Sequence, residues 1–360
     1  MQYQLKSRQI CFFLIAFLPI NKLFIMPSVL AGVANEDMWI SAVISLLLDF
    51  VTLLFVLRTA RNAKTDFFGL LENSFGKTGA KIILILYFIY FTLKAIIPLN
   101  EQKDYVDLTL YTLKPSIFYF LPFFLVPLYL CSKKIRVLGR ASDVLWMITV
   151  NGFITLIALS IGNADFAAIL PIGARGATSV IKGSYLTVGW YGDSVYILFL
   201  IGEFLCRKKD GIKICLSYLC GAIMVIVFMI TFYAIFTSIA YRQRFALTEI
   251  SKYTTVINNL GRFDYIGIIL ILFSGLIALS LPMYFGTQII NYIFNFKKVW
   301  IAPIITVGIQ ILIMLIFYQY IYSIENFIMN YAGVLFILLG NVFPCFAVLM
   351  NKKELKYEKS

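Results

Sequence analysis

The chain has 360 residues, of which 61% are hydrophobic and 14% are charged, and its mean hydropathy is +0.88. These values predict an integral membrane protein and leave no stretch for a soluble domain. The sequence contains no histidine, which excludes histidine-based acid–base catalysis and most zinc sites. No other nucleophile–base or metal-ligand pattern occurs in the sequence. We therefore expect neither an enzyme nor a bound metal or cofactor.

Ten hydrophobic segments follow one another along the chain. Each is apolar all round rather than along one stripe, as helices surrounded by lipid should be. The sequence therefore predicts an all-α membrane protein with about ten transmembrane helices. The segments cover residues 9–33, 38–57, 82–105, 117–131, 137–161, 183–205, 214–240, 265–290, 300–321 and 328–350.

The net charge of +13 is distributed unevenly between the two sides of these segments. Twenty-one of the 31 Lys and Arg residues lie before the first segment or in the loops that follow every second segment, and eight lie in the other loops. By the positive-inside rule, this asymmetry predicts that both termini are cytoplasmic. The basic charge thus indicates membrane topology, and we expect a lipid bilayer but no nucleic acid among the partners.

Three loops are long enough to form structure of their own. Residues 65–79 alternate apolar and polar positions at helical spacing, which predicts a helix on the cytoplasmic surface. On the other side, residues 162–182 and 241–264 would shape the outer mouth, either as amphipathic helices or as solvated loops.

The first hydrophobic segment is interrupted within FLPINKLFIMPS (Phe17–Ser28). Proline removes a backbone donor, and a lysine at mid-bilayer costs at least about 2.5–3.5 kcal/mol. Such an interruption is tolerated where it faces protein or a polar cavity, as at the substrate sites of transporters. A signal peptide cleaved near Ala34 fits poorly, because the run is too long and contains a lysine. The interrupting residues are Pro19, Asn21, Lys22 and Pro27.

The sixth segment is interrupted as well, at VGWYGDS (Val188–Ser194), where Gly189 and Gly192 free the backbone and Asp193 lies at about mid-depth. Ten segments divide into two halves of five, and an odd number per half inverts the second half. We expect one transmembrane domain, with halves at 1–162 and 163–325 and with 326–360 belonging to the second half. Matched breaks in inverted halves predict a central binding site.

Four charged residues fall near the bilayer centre when depth is counted at about 1.5 Å per residue. They are Lys22, Asp49, Lys94 and Asp193, and their charges sum to zero. Because buried charges persist when paired, we expect a buried ion pair of Asp49 with Lys22 or with Lys94. The alternative is a purely structural cluster that locks the helices together.

The candidate ligand contacts lie at the depth of the two breaks. For the aromatic residues, the alternative is ordinary core or lipid packing, and for Ser274 it is helix–helix packing. The full set is Pro19, Ile20, Asn21, Lys22, Tyr90, Lys94, Val188, Gly189, Trp190, Tyr191, Asp193 and Ser274.

The chain resembles the B subunits of the nutrient germinant receptors of bacterial endospores, within the amino acid–polyamine–organocation transporter superfamily. The stretches that carry the resemblance are LKSRQICFFLI near the start, NKLFIMPSVLAGVANEDMWIS (Asn21–Ser41), FLIGEF (Phe199–Phe204) and GRFDYIGIILIL (Gly261–Leu272). The similarity covers the whole chain, and it is the order and spacing of the stretches that identify it. The chain departs from many relatives in having Ile20, Asn21 and Lys22 where they have a glycine-containing turn.

The resemblance implies a LeuT-like five-plus-five fold and a subunit of a receptor in the inner spore membrane. Such a subunit would bind a small nutrient, amino acids included, and act with a larger A-type subunit and a lipoprotein C-type subunit. A secondary amino acid transporter is the rival function, and a membrane scaffold with a vestigial pocket is the third. The sequence alone does not choose the ligand.

Overall fold

The computed structural model describes residues 4–110, 124–252, 264–317 and 320–346, and in these ranges helices are joined by turns and loops, with two isolated bridges besides. The α-helices are α1 (Ser7–Ile20), α2 (Met26–Ala34), α3 (Met38–Asn62), α4 (Phe67–Leu110), α5 (Leu125–Cys131), α6 (Arg136–Ser160), α7 (Gly176–Leu186), α8 (Ser194–Phe199), α9 (Lys208–Phe236), α10 (Ala246–Lys252), α11 (Asp264–Phe294), α12 (Ile301–Ile316), α13 (Ile321–Asn330) and α14 (Gly333–Ile337). A π-helical turn, Leu338–Val342, follows α14. The predicted all-α class is confirmed.

Both predicted breaks are present. The first lies between α1 and α2, where Pro19 occupies the last turn of α1 and the next helix resumes at Met26. The second lies between α7 and α8, with a short 3₁₀ turn at Val188–Trp190. There Gly192 has a φ of +84°, a conformation that glycine adopts at little cost.

Four helical stretches within the described residues are long and apolar enough to cross a membrane: Met26–Asn62, Phe67–Tyr105, Arg136–Asn163 and Lys208–Arg242. A fifth candidate is the pair Ser323–Asn330 and Gly333–Phe346, which is bent by 53°. The total of ten spans, the inverted repeat and the division into halves remain predictions. The last span differs from the predicted 328–350, because its helical part begins earlier and bends.

The helix expected at 65–79 is present as the start of α4, which kinks at Gly76. One of its faces buries Phe67, Leu70 and Leu71, while Phe75 and Lys77 are exposed. In the loop at 241–264, α10 buries Leu247 and Ile250, while residues 253–263 lie outside the described ranges. Both segments thus form helices that bury apolar residues against the protein.

The helix packing sets the position of the breaks. Helix α1 packs against α6 and α9, α3 packs against both α7 and α8, and α4 runs alongside α11. The two breaks therefore lie next to each other, and α3 and α4 flank them. Side chains from α3 and α4 reach the backbone that the interruptions leave without helical partners.

Candidate functional site

Lys22 lies in the first break with its side chain fully buried. Its ammonium donates hydrogen bonds to the carbonyl oxygen of Leu18 (2.9 Å) and to Oδ2 of Asp193 (2.5 Å), and it lies 5.3 Å from the ring centroid of Tyr191. In a continuous helix, the Leu18 carbonyl would accept from the backbone N–H of Lys22. That N–H instead bonds to Pro19, so the side-chain ammonium replaces the lost helical donor.

Asp49 on α3 is also fully buried, and it accepts hydrogen bonds from the second break and from α9. The donors are the hydroxyl of Ser194 (2.6 Å), the backbone N–H groups of Asp193 (3.1 Å) and Ser194 (3.3 Å), and the hydroxyl of Tyr218 (3.2 Å). The carboxylate therefore faces the first turn of α8, where unpaired N–H groups favour negative charge.

The expected ion pair needs a correction, because the carboxylate that contacts Lys22 is Asp193 and not Asp49. Lys94 does not pair with Asp49 either. Its ammonium donates to the carbonyl oxygen of Tyr191 and lies near the rings of Tyr90 and Tyr196. The physical reason is that Asp49 has backbone and hydroxyl donors at the second break. A count of charges by depth does not include such donors.

A small cavity lies between the two breaks and α4. Its volume is about 10 Å³, which is room for about one water molecule. One wall is tightly packed, because a Cβ at Gly189 would lie 2.7 Å from Cδ1 of Ile97. The residues around it are Asn21, Lys94, Ile97, Pro98, Glu101, Gly189, Trp190 and Tyr196.

Glu101 and Trp190 form the polar wall of this cavity. Both are buried, and the indole Nε1 of Trp190 donates a hydrogen bond to Oε1 of Glu101 (2.8 Å). Glu101 lies seven residues after Lys94 on α4, two helical turns along the same face. The cavity is therefore lined by an ammonium and a carboxylate that one helix supplies.

The predicted contact residues fall into groups in the structure. Asn21, Lys94, Gly189 and Trp190 line the cavity, while Lys22, Tyr191 and Asp193 form the neighbouring charge network. Pro19, Ile20 and Val188 lie at the breaks but not among the lining residues. The side chain of Ser274 lies outside the described residues.

Tyr90 is buried between the second break and the last span. Its hydroxyl would lie 2.7 Å from a Cβ on Gly192 and 3.4 Å from one on Gly340, and it has no hydrogen-bond partner within the described ranges. Gly340 lies in the π-helical turn after α14, and such turns occur frequently at functional sites. The last span thus contributes to this region.

Sequence reasoning missed Glu101, Ile97, Pro98 and Tyr196 around the cavity, together with Gly340. The signal for Glu101 was present, because the stretch from Asn100 to Asp104 is polar over five residues and stands at helical spacing from Lys94. The hydrophobic segment predicted at 82–105 ends with this stretch. In the structure all five of these side chains are buried.

The fold is similar to that of solved membrane transporters. A mutant of the manganese transporter of Eremococcus coleocola matches with a TM-score of 0.59 and 13% identity, over 94% of this chain and 78% of that one. The same transporter in complex with an aromatic bis-isothiourea compound matches with a TM-score of 0.57 and 14% identity, over the same shares of the two chains. Together with the two breaks, this likeness defines a membrane protein with a LeuT-like transporter fold.

The family described as spore germination protein, a group of spore permeases, matches residues 4–324. The chain belongs to this family. It is also 22% identical over 180 residues to the spore germination protein YndE of Bacillus subtilis (strain 168). That match spans about half of each protein, 50% of this chain and 49% of the relative.

Proposed function

We propose that the protein is the transporter-like subunit of a spore germinant receptor and binds a zwitterionic nutrient, such as an amino acid, in the central cavity. The observation that carries the proposal is the pair of opposite charges, Lys94 and Glu101, on one cavity between two helix breaks. A ligand with one carboxylate and one ammonium complements such a pair.

Lys94 and Glu101 can each form hydrogen bonds to a ligand in addition to their present ones. The ammonium of Lys94 has three donors, one of which bonds to the Tyr191 carbonyl. Oε1 of Glu101 accepts from Trp190, and a carboxylate has about four acceptor positions. A ligand carboxylate would bind Lys94, and a ligand ammonium would bind Glu101. The cavity has to widen from its present volume to admit an amino acid.

The similar solved structures are those of a manganese transporter, so transport of a divalent metal is a second candidate function. The charges of the site disfavour it in this chain. Lys22 and Lys94 place two ammonium groups beside the breaks, Asp193 is bonded to Lys22, and Asp49 is bonded to the first turn of α8. A divalent cation would meet repulsion from both lysines.

The family membership supports the remaining parts of the proposal. The chain would act with an A-type subunit and a lipoprotein C-type subunit in the inner spore membrane, with both termini in the cytoplasm. The rival function is a secondary amino acid transporter of the same fold. The two functions differ in the fate of the ligand. A transporter carries it across the membrane, whereas a receptor releases it to the side from which it came.

The test is ligand binding to the purified full chain, with a mixture of radiolabelled amino acids as the probe. Glu101→Gln and Lys94→Met should each raise the apparent Kd about tenfold or more, because each leaves one ligand charge unpaired. Glu249→Gln is the matched control, since Glu249 pairs with Lys252 on α10, away from the cavity. Binding that both cavity variants leave unchanged would contradict the proposed site.

A further inference from the structure

Helix α4 passes three regions of the protein in order along its axis. Phe91 lies first, Lys94 and Glu101 follow at the cavity, and Asp104 comes last. At 1.5 Å per residue, Phe91 and Asp104 are about 20 Å apart along the helix. The cavity is therefore bounded by a different group of side chains at each end.

Beyond Glu101 along α4 lies an ion cluster that we name the Arg244 cluster: Asp104, Arg244 and Glu325. The guanidinium of Arg244 pairs with Asp104 on α4 and with Glu325 on α13, the latter at 3.4 Å. The carbonyl of Arg244 accepts from the hydroxyl of Ser28 on α2 (3.3 Å). One residue thus joins three helices over this end of the cavity, and its side chain is 36% exposed.

At the other end, next to the cavity, lie four packed rings that we name the Phe285 cluster: Phe91, Tyr196, Phe199 and Phe285. The first, second and fourth stack on one another, while Phe199 packs edge-on or tilted against its neighbours. The Phe285 centroid lies 5.6 Å from Phe91, 5.5 Å from Tyr196 and 5.8 Å from Phe199. All four side chains are buried. Tyr196 also lines the cavity, so the cluster begins directly at its wall.

A second, larger cavity lies on the far side of the Phe285 cluster. Its volume is about 230 Å³, and its lining includes Tyr284, Glu203, Lys133 and Lys134. The ring of Tyr284 contacts that of Phe285 at 5.5 Å. The rings therefore separate two polar spaces, one at the breaks and one at the end of the bundle that the basic residues predict to be cytoplasmic.

We propose that the central cavity is reached only from the Arg244 end, and that the Phe285 cluster remains closed while a ligand enters and leaves. The protein then senses a ligand on one side without carrying it across. This inference rests on the proposed function, because it assumes that the cavity holds a ligand.

The chemistry of the two clusters supports entry at the Arg244 cluster and a permanent seal at the Phe285 cluster. In the Arg244 cluster the arginine side chain is 36% exposed, so water can solvate its charge when the ion pairs separate. Opening the Phe285 cluster would move four buried rings out of close packing and expose apolar surface to a polar path. Arg244 also lies next to the second wall charge, because Glu101 is one turn from Asp104 on α4. A ligand charge at Glu101 would therefore alter the field at the ion cluster.

The test is the accessibility of a cysteine placed in the cavity, Ile97→Cys, to a charged, impermeant thiol reagent added to either face of sealed membrane vesicles. The chain without this substitution gives the background from its six native cysteines. We expect labelling from the Arg244 side that Arg244→Gln speeds up about tenfold, since the variant breaks both ion pairs. Labelling from the Phe285 side should stay at background in the Ile97→Cys chain both with and without Arg244→Gln.

Four further variants accompany the measurement. Arg242→Gln removes an exposed arginine two residues away, which contacts Tyr241, and should leave the rate unchanged. Phe285→Ala should make the cysteine reactive from the opposite side. Asn21→Cys is a second reporter on the cavity wall, and Glu325→Gln is a second way to weaken the cluster, in case a variant fails to fold.

Labelling from the Phe285 side in the presence of an amino acid mixture would overturn the inference, and so would equal rates for Arg244→Gln and Arg242→Gln. Binding and uptake of the same radiolabelled mixture separate the two proposals. If no amino acid binds but access follows Arg244, the proposed ligand class fails and one-sided access stands. If amino acids bind and accumulate inside the vesicles, one-sided access fails and the binding site stands.

Discussion

At the first helix break a charged side chain bonds to the end of the preceding helix, whereas at the second a charged side chain bonds to the start of the following helix. At the end of α1, the Leu18 carbonyl accepts from the ammonium of Lys22. At the start of α8, backbone N–H groups donate to the carboxylate of Asp49. Helix C-termini favour cations and N-termini favour anions, so the opposite charges follow from the opposite directions of the two ends.

The breaks also differ in where the stabilising charge comes from. Lys22 lies within the first break, four residues from the carbonyl that it bonds. Asp49 lies on another helix, about 144 residues away in sequence from the backbone that it bonds. The ion pair between Lys22 and Asp193 joins the two breaks. The first break is thus stabilised locally and the second only by the assembled fold, and the two can be perturbed separately.

The largest effect is expected for Lys22→Met. It leaves the buried Asp193 carboxylate and the Leu18 carbonyl without their partner, which should lower the free energy of unfolding by about 3–5 kcal/mol. Thermal unfolding of the purified protein in detergent measures this. Adding Asp193→Asn should recover more stability than adding Asp49→Asn, which serves as the matched double variant. Equal recovery by both doubles would contradict the pairing seen in the structure.

Gly192→Ala should destabilise the second break by about 1–3 kcal/mol, because the residue has a positive φ that alanine adopts only with strain. Its Cβ would also meet the Tyr90 hydroxyl at 2.7 Å. Adding Tyr90→Phe should therefore restore part of the loss but not all of it. Gly211→Ala on α9, where a Cβ meets nothing within 4 Å, is the control and should not destabilise. Full recovery in the double variant would mean that the backbone is unstrained.

Ser194→Ala should cost about 1–2 kcal/mol, since it removes a buried hydrogen bond to a charged group, the 2.6 Å contact with Asp49. The backbone donors to Asp49 remain, so the effect should be smaller than that of Lys22→Met. Ser132→Ala removes an exposed hydrogen bond to the Tyr129 carbonyl and is the control. A loss as large as that for Lys22→Met would show that the hydroxyl, rather than the backbone, positions Asp49.

The smallest effect is expected from removing sodium. Cation-coupled transporters of this fold hold the ion on backbone carbonyls of unwound helices, and here the ammonium of Lys22 bonds to such a carbonyl. Amino acid binding should therefore be equal in sodium-based and potassium-based buffer at the same ionic strength. An absolute sodium requirement in the unmodified protein would place a cation where we assign the permanent charge of Lys22.

The predicted features that the structure confirms are those with local causes. Pro19 and Lys22 interrupt an apolar run, and Gly189 and Gly192 interrupt another, so the breaks follow from backbone chemistry that acts within a few residues. The helical class follows equally from composition and periodicity. Local signals of this kind can be recognised in the sequence without knowing which helices pack against each other.

The sequence by itself therefore determined where two of the helices break, and that the four charges near the bilayer centre are buried. Tertiary structure decided which groups meet: Asp193 rather than Asp49 contacts Lys22, and Glu101 faces the cavity rather than the end of a span. The physical reason is that a buried carboxylate is satisfied by any donor within reach, backbone N–H groups included. Those donors come from distant parts of the chain, and only helix packing brings them together.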